Sequence, residues 1–433
     1  MKNKTKKMIV VSFDGLSTLD FEHIKKLPNF KKFLHNSSYC KNVYTIYPSL
    51  TYPAHATIVT GKYPKNHGII NNTLLQPNRI SPDWYWQRKY INGDTLFDKA
   101  IDKGLKVAAL LWPVTAKSKI QYNMPEIFAN RPWENQILVS LINGSPLYQL
   151  GLNFKYGKIR DGILQPQLDD FTLECLLDTL KNKNPDLTLV HFTDLDTKRH
   201  YNGFNSREAK EAIIRHDRRL GRIVKLLKDE GTYDDSTIIL LGDHSSLDES
   251  KIINLNVTFK KYGLINTNEK GQIISWQALL KNCDGSAYVY INNNNRNIKE
   301  KVRYIIDEFN KKYNCIEEVF DSDEATSLGA DPKCTYMLEA KKGYYFLDNH
   351  SGNEIKEIKI EEVGNVPHIT INTHGYIPFK ENYTTVFIAK GKGIKQGVVI
   401  DKMSLVDEGP TLAKLLGFSL EDADGKVLKE ILK

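Results

Sequence analysis

Met8-Ile-Val-Val-Ser-Phe-Asp-Gly15 is an apolar run of strand length that stops on a carboxylate and a glycine. The pattern recurs twice: residues 187–192 run into Asp194, Asp196 and His200, and residues 237–241 run into Asp243-His244. Around these runs the hydrophobic spacing turns helical, over residues 29–35, 95–103, 168–183 and 206–228, with Ser206 placed as an N-cap; residues 106–112 read as a further strand. Alternating strand and helix predicts an α/β fold with a mostly parallel central sheet and helices on both faces. In such sheets ligands bind beyond the carboxyl ends of the strands, so the polar residues just past each run are the first place to look for a site.

After about residue 252 the rhythm changes to short strands, at 287–291, 335–339 and 344–347, around one helix at 298–311. The reading is therefore a core over 1–252 with a cap-like insertion at about 115–166, an inserted smaller α+β lobe over 253–370, and a return to the core over 371–433. That return carries a strand at 384–389 and a helix at 408–416. Both insertions are expected to cap the pocket and select the leaving group.

Composition narrows the class. The 433 residues are 41% hydrophobic and 26% charged, a globular balance, and no run approaches the ~20 apolar residues of a membrane span. Residues 2–7 are basic, but the apolar run after them is too short for a secretory leader and lacks a cleavage site, so a cytoplasmic protein is expected. Five scattered cysteines without a Cys-x-x-Cys pair point to free thiols. The net charge of +8 favours anionic substrates. It comes from dispersed lysines without a zinc-finger, RNP-type or basic-zipper pattern, so no nucleic acid partner is expected. The asparagine run at 292–295 is the one low-complexity patch, and no repeat is present.

Asp14, Asp194, Asp196, His200, Asp243, His244 and, where the core resumes, His374 combine carboxylates with imidazoles and include no thiolate. That donor set suits Zn²⁺ or a similar divalent ion in a catalytic site, and it is large enough for two ions. Tyr47-Pro-Ser-Leu-Thr-Tyr-Pro-Ala-His55 leads into a short helix ending near Gly61. Pro53 suits a first helical position, which sets Thr51 beside a helix N-terminus that favours a phosphate. Thr51 could simply cap that helix. Acting as a nucleophile, it would need a metal to depress its pKa.

Seven segments now stand in order: Phe13-Asp-Gly15, residues 47–55, Thr57-Ile-Val-Thr-Gly61, Tyr63-Pro-Lys-Asn-His-Gly-Ile69, Asp196-Thr-Lys-Arg-His200, Gly242-Asp-His244 and Thr373-His-Gly-Tyr376. Together they resemble the type I phosphodiesterase/nucleotide pyrophosphatase branch of the alkaline phosphatase superfamily, over nearly the whole chain. The resemblance implies one metal ion on Asp14, Thr51, Asp243 and His244 and a second on Asp196, His200 and His374. The ions would be Zn²⁺ first, with Mn²⁺ as the alternative. It implies that Thr51 is the nucleophile, that Asn72 donates to a phosphoryl oxygen with Asn71 its nearest competitor, and that Tyr52 stacks on a nucleotide base, with packing in the core the alternative for Tyr52. Asp194 then becomes a supporting residue. Two departures, Ala54 where many relatives have asparagine and Ser245 where glycine is common, remove no ligand but change the pocket's shape.

The implied activity is hydrolysis of a small phosphorylated substrate, a nucleotide among the candidates, through a phosphothreonine intermediate. Monoester, phosphonate or phosphotransferase chemistry on the same site is the alternative, because fold and ligands do not fix the leaving group. Sulfatase chemistry lacks its Cys-x-Pro-x-Arg motif, and a phosphoglycerate mutase-like reading lacks its insertion after the nucleophile. A non-catalytic metal-binding relative would show gaps in the ligand set, and all seven positions carry competent residues. The sequence assigns no oligomeric state.

Overall fold

The computed structural model of the protein describes residues 5–79, 81–292 and 295–433. Residues 1–4 of the basic start and 293–294 of the asparagine run lie outside these. The central sheet has nine strands. Its order is Val399–Ile400, Ser38–Tyr44, Thr385–Gly391, Ser236–Leu241, Lys7–Phe13, Leu187–Phe192, Val107–Leu110, Tyr122–Met124, with Met403–Ser404 also pairing to Ser38–Tyr44. All pairs are parallel except the two made by Thr385–Gly391, which runs antiparallel to both neighbours.

Side-chain alternation sends each strand to two cores. Met8 and Val10 of the first strand join a cluster on one face, with Phe97, Trp112, Ile239 and Leu412; Ile9, Val11 and Phe13 join the other, with Phe30, Leu176, Val190 and Leu220. Burial on both faces explains why these strands read as continuous apolar runs rather than alternating ones.

The helix Thr51–Thr60 is buried along its entire length, between the sheet and the helix Glu408–Leu416. It starts at Thr51, with Leu50 in the N-cap position, so Pro53 is its third residue rather than its first. The proline is still tolerated, because N–H groups of the first turn have no intrahelical acceptor. Gly61 closes the helix in the left-handed region (φ 68°), and a Cβ there would meet Pro410 Cδ at 2.6 Å.

In the lobe, Ala278–Cys283, Ser286–Ile291, Tyr336–Ala340 and Ile316–Asp321 form an antiparallel sheet. The helix Arg296–Tyr313 packs Val302, Ile305, Ile306 and Phe309 into the lobe's core, an i, i+3, i+4, i+7 stripe. A small sheet joins lobe and core: Leu247–Ile253 pairs with Gly343–Phe346, Ile355–Glu357 and Asn372–Thr373. The 252/253 division drawn from the change of rhythm therefore falls inside a strand. The segment 115–166 contains the edge strand Tyr122–Met124 of the central sheet, so it extends that sheet; Glu126 is its one residue on the wall of the main cavity.

Candidate active site

Asp14, Thr51, Tyr52, Asn72, Asp196, His200 and His374 line a cavity of about 700 Å³ at the carboxyl ends of the central strands, and the fully buried Asp243 and His244 cluster with Asp14, Asp196 and His374 behind its wall. Asp14 follows Lys7–Phe13, and the left-handed Gly15 (φ 72°) turns the chain so that its N–H donates to Asp243 Oδ1 at 3.1 Å. Asp243 and His244 follow Ser236–Leu241. Asp196 and His200 sit four residues apart on the helix Asp194–Asn202, hence on one face, with Nε2 and Oδ2 2.9 Å apart. His374 follows Asn372–Thr373 and stacks on His244 at 4.0 Å between ring centroids. Thr51 Oγ1 lies 3.1 Å from His244 Nε2.

Among the described residues three groups are compact enough to hold an ion, with candidate ligand atoms within 4.8 Å of one another, and two of them share His244: Asp14, Asp243 and His244, and Asp196, His244 and His374. The donors fit that use. Among the described residues Asp14 Oδ1, Asp196 Oδ1, Asp243 Oδ2 and His374 Nδ1 are buried without a hydrogen-bond partner, and His244 turns Nε2 to within 3.3 Å of Asp14 Oδ1 and 3.4 Å of Asp243 Oδ2. Burial, followed by repulsion from Asp243 and Asp196, pushes the Asp14 carboxyl well above its usual range. Burial likewise raises Asp243, to about 6. Asp196 goes the other way: burial raises it, but His200 and His374 outweigh that and hold it low. Burial opposes charge on His200, yet Asp196 lifts it to about 9. The Asn372 carbonyl accepts from His200 Nδ1 at 2.7 Å, which aims Nε2 at Asp196.

A third compact group, His55, His191 and Asp243, is of a different kind. His55 Nδ1 donates to the Thr51 carbonyl (2.8 Å), so its Nε2 accepts from Ser12 Oγ (3.0 Å), and both nitrogens are committed to holding the helix against the first strand. His67 is similarly occupied by Thr57 Oγ1 and the Ile69 N–H. Asp194 accepts from Arg215 at 2.6 Å and from Arg219 at 3.1 Å, a buried ion-pair network that anchors the start of the Asp194–Asn202 helix. Asp217 accepts from the Asn29 and Phe30 N–H groups and so caps the helix Pro28–Leu34. Ser245 donates to Ser17 Oγ.

The two asparagines part company. Asn71 is tied to the Asn282 carbonyl and Cys283 Sγ of the lobe, whereas Asn72 Oδ1 accepts from the Tyr52 N–H at 2.9 Å, at the start of the Thr51–Thr60 helix. Among the described residues Asn72 Nδ2 has no partner. Tyr52 lines the cavity, but its ring is 0% exposed; its hydroxyl donates to Glu126 Oε1 (3.1 Å) and it meets Trp84 edge-on.

The sequence model of the family described as type I phosphodiesterase/nucleotide pyrophosphatase matches residues 8–377. The chain belongs to this family. Venom phosphodiesterase 2 of Crotalus adamanteus is 28% identical over 243 residues, covering 55% of this chain and 26% of the snake protein. The human ectonucleotide pyrophosphatase/phosphodiesterase family member 1 is 26% identical over 235 residues, covering 50% of this chain and 21% of its own length. The chain thus spans about a quarter of the curated relatives it matches first. The structure of murine ectonucleotide pyrophosphatase/phosphodiesterase 5, an inactive threonine-to-alanine variant in complex with AMP, superposes with a TM-score of 0.69 at 19% identity. It covers 99% of this chain and 100% of the murine one. At that identity the likeness establishes the shared fold.

Three residues beside the family's motif positions escape sequence reasoning. His191 Nε2 meets Asp14 Oδ2 at 3.1 Å and its Nδ1 meets Glu126 Oε2 at 3.2 Å; burial opposes charge on this ring, but Asp14 and Glu126 outweigh it and raise its pKa. Strand register brings His191 opposite Ser12. Asp284, in the Asp-Gly turn joining Ala278–Cys283 to Ser286–Ile291, reaches to 3.9 Å from His374 Nδ1. An Asp-Gly pair between strand-like runs is a hairpin signal, so Asp284 could have been placed on a turn, though not beside His374. Glu126 joins the Tyr52 hydroxyl to His191 and thereby to Asp14. Glu126→Ala is expected to weaken Zn²⁺ affinity or turnover by about 10- to 100-fold, the usual effect of removing a group that orients a ligand. Zinc titration and steady-state rates check this.

Proposed function

We propose that the protein hydrolyses nucleotide-type phosphodiester or pyrophosphate bonds through a phosphothreonine intermediate, with two divalent ions, Zn²⁺ first and Mn²⁺ second. One observation carries the reading: the hydroxyl of Thr51, first residue of a buried ten-residue helix on the cavity wall, points into the carboxylate–imidazole cluster, 3.1 Å from His244 Nε2. Asp14, Thr51, Asp243 and His244 would hold one ion, and Asp196, His200 and His374 the other. Such ions, when bound, depress the hydroxyl pKa and neutralise charge on the entering and leaving oxygens.

Thr51 Oγ1 attacks phosphorus in line, forming the Oγ–P bond as the bond to the leaving group breaks. Asn72, its oxygen fixed on the Tyr52 N–H, offers Nδ2 to a non-bridging oxygen, and the helix N-terminus favours the negative phosphoryl group. Water then cleaves the Thr51 phosphoester. Tyr52, held from behind by Glu126, supports the half-buried Trp84 as the aromatic wall for a base. The AMP bound to the murine relative is a substrate-sized precedent for a nucleotide here.

The test is nitrophenol release from a nitrophenyl nucleotide diester, bis-nitrophenyl phosphate and nitrophenyl phosphate by the Zn²⁺-loaded protein. The diesters are expected to lead, and a preference for the monoester overturns the diester assignment. Two in-line displacements further predict net retention at phosphorus with a chiral phosphorothioate diester in labelled water; net inversion removes the covalent intermediate.

A further inference from the structure

Ten of the twenty large apolar side chains exposed among the described residues lie between positions 133 and 164. Six of them ride on two helices, Gln136–Asn143 and Pro146–Tyr156, which pack on each other at the Tyr122–Met124 edge of the central sheet, and Trp133, Ile159, Ile163 and Leu164 lie in the segments flanking them. The second helix is apolar on two sides. Leu152 and Tyr148 face the core beside the helix Gln167–Asn182, while Leu147, Leu150 and Phe154 point outward at 86%, 46% and 92% exposure. Ile137, Leu138 and Ile142 of the first helix are exposed next to them.

Gly151 completes the outward stripe, at i+4 between Leu147 and Phe154. A Cβ on it would meet nothing within 4 Å. Its backbone is ordinary helix, so neither conformation nor packing within the chain calls for glycine there, and a glycine in a helix interior is unfavourable. A second backbone approaching at that point would call for it.

We propose that this surface is the interface of a homodimer, in which the Pro146–Tyr156 helices of two copies cross at Gly151. Ten side chains at 37–92% exposure offer on the order of 1,000 Å² of apolar area, more than a monomer ordinarily leaves to solvent and at least the ~800 Å² per partner of a stable interface. Charges of both signs border it: Arg131 and Glu134 at its start, Lys158 and Asp161 at its end. Such a border is self-complementary across a two-fold axis, whereas an anionic bilayer would select one sign. The occupant is therefore a second copy of this chain.

Light scattering on the eluting 433-residue chain at micromolar concentration is expected to give twice its mass of 49.6 kDa. The double variant Leu147→Glu/Phe154→Glu should give the single-chain mass with unchanged circular dichroism. Ile360→Glu, at a 73% exposed site in the lobe, should stay dimeric. Gly151→Ala should raise the dimer Kd about tenfold or more. In the monomeric double-variant background it should instead raise the melting temperature, since only a partner meets its Cβ. A single-chain mass for the wild type overturns the proposal, and binding of that monomer to phosphatidylglycerol vesicles would reassign the surface to a membrane. A double variant that remains dimeric moves the interface elsewhere, and an unchanged Kd for Gly151→Ala removes the crossing point.

Discussion

Thr51→Ala is expected to lower diester turnover by about 10⁴-fold or more, the scale on which removal of a nucleophile acts, with little change in melting temperature. The near-silence on stability is what separates the two readings of this residue. Were Thr51 a helix cap, its loss would cost about 1 kcal/mol and leave chemistry to other groups. The N-cap position belongs to Leu50, Thr51 is already helical, and among the described residues its hydroxyl bonds to His244 rather than to a first-turn N–H. Truncation therefore removes the proposed nucleophile and no cap. Acid-quenched wild type should carry substrate phosphorus on protein, Thr51→Ala should carry none, and Thr51→Ser should retain part of both signals. Turnover surviving Thr51→Ala would place the nucleophile on another group of the cavity.

The carboxylates and imidazoles that end up together were legible because each sits a fixed few residues past an apolar run, and a parallel sheet delivers all such positions to one edge. Asp14 and Asp243 needed only that rule; choosing Asp196 with His200 over Asp194 needed the family motif, and His374 and Asn72 needed the motif order. Contributions set by register or by a distant lobe were not legible. His191 reaches Asp14 because Leu187–Phe192 pairs with the first strand in one register, and Asp284 reaches His374 because a hairpin of the lobe folds back on the core. The sheet misled in the same way. Ser38–Tyr44 carries lysine and asparagine on its exposed positions and does not read as an apolar run, and Tyr122–Met124 is too short to register. The antiparallel direction of Thr385–Gly391 follows from the long excursion before it, which no local pattern encodes.

Without metal, Asp243→Asn is expected to melt several degrees above the wild type at pH 8, to match it near pH 4, and to fall below it once Zn²⁺ is added. Asp243 is 0% exposed, and among the described residues its Oδ2 has no hydrogen-bond partner. Burial raises its pKa from 3.8 to about 6, against the pull of His191. A carboxyl with a raised folded-state pKa binds a proton in the folded chain that the unfolded chain has released. Its penalty is absent below about pH 3.8, grows as pH rises through about 6, and is full above that. The shift corresponds to on the order of 2–3 kcal/mol of stability withheld from the metal-free wild type at neutral pH. Asparagine keeps the oxygen that accepts from the Gly15 N–H and carries no charge to bury. Divalent cations reverse the comparison, because they pair with the carboxylate and have no comparable hold on an amide. Melting curves of both proteins at the two pH values, with chelator and with Zn²⁺, decide it. A metal-free Asp243→Asn less stable than wild type at pH 8 would mean that the neighbouring histidines already satisfy Asp243, and the case for a cluster strained toward cations would fall with it.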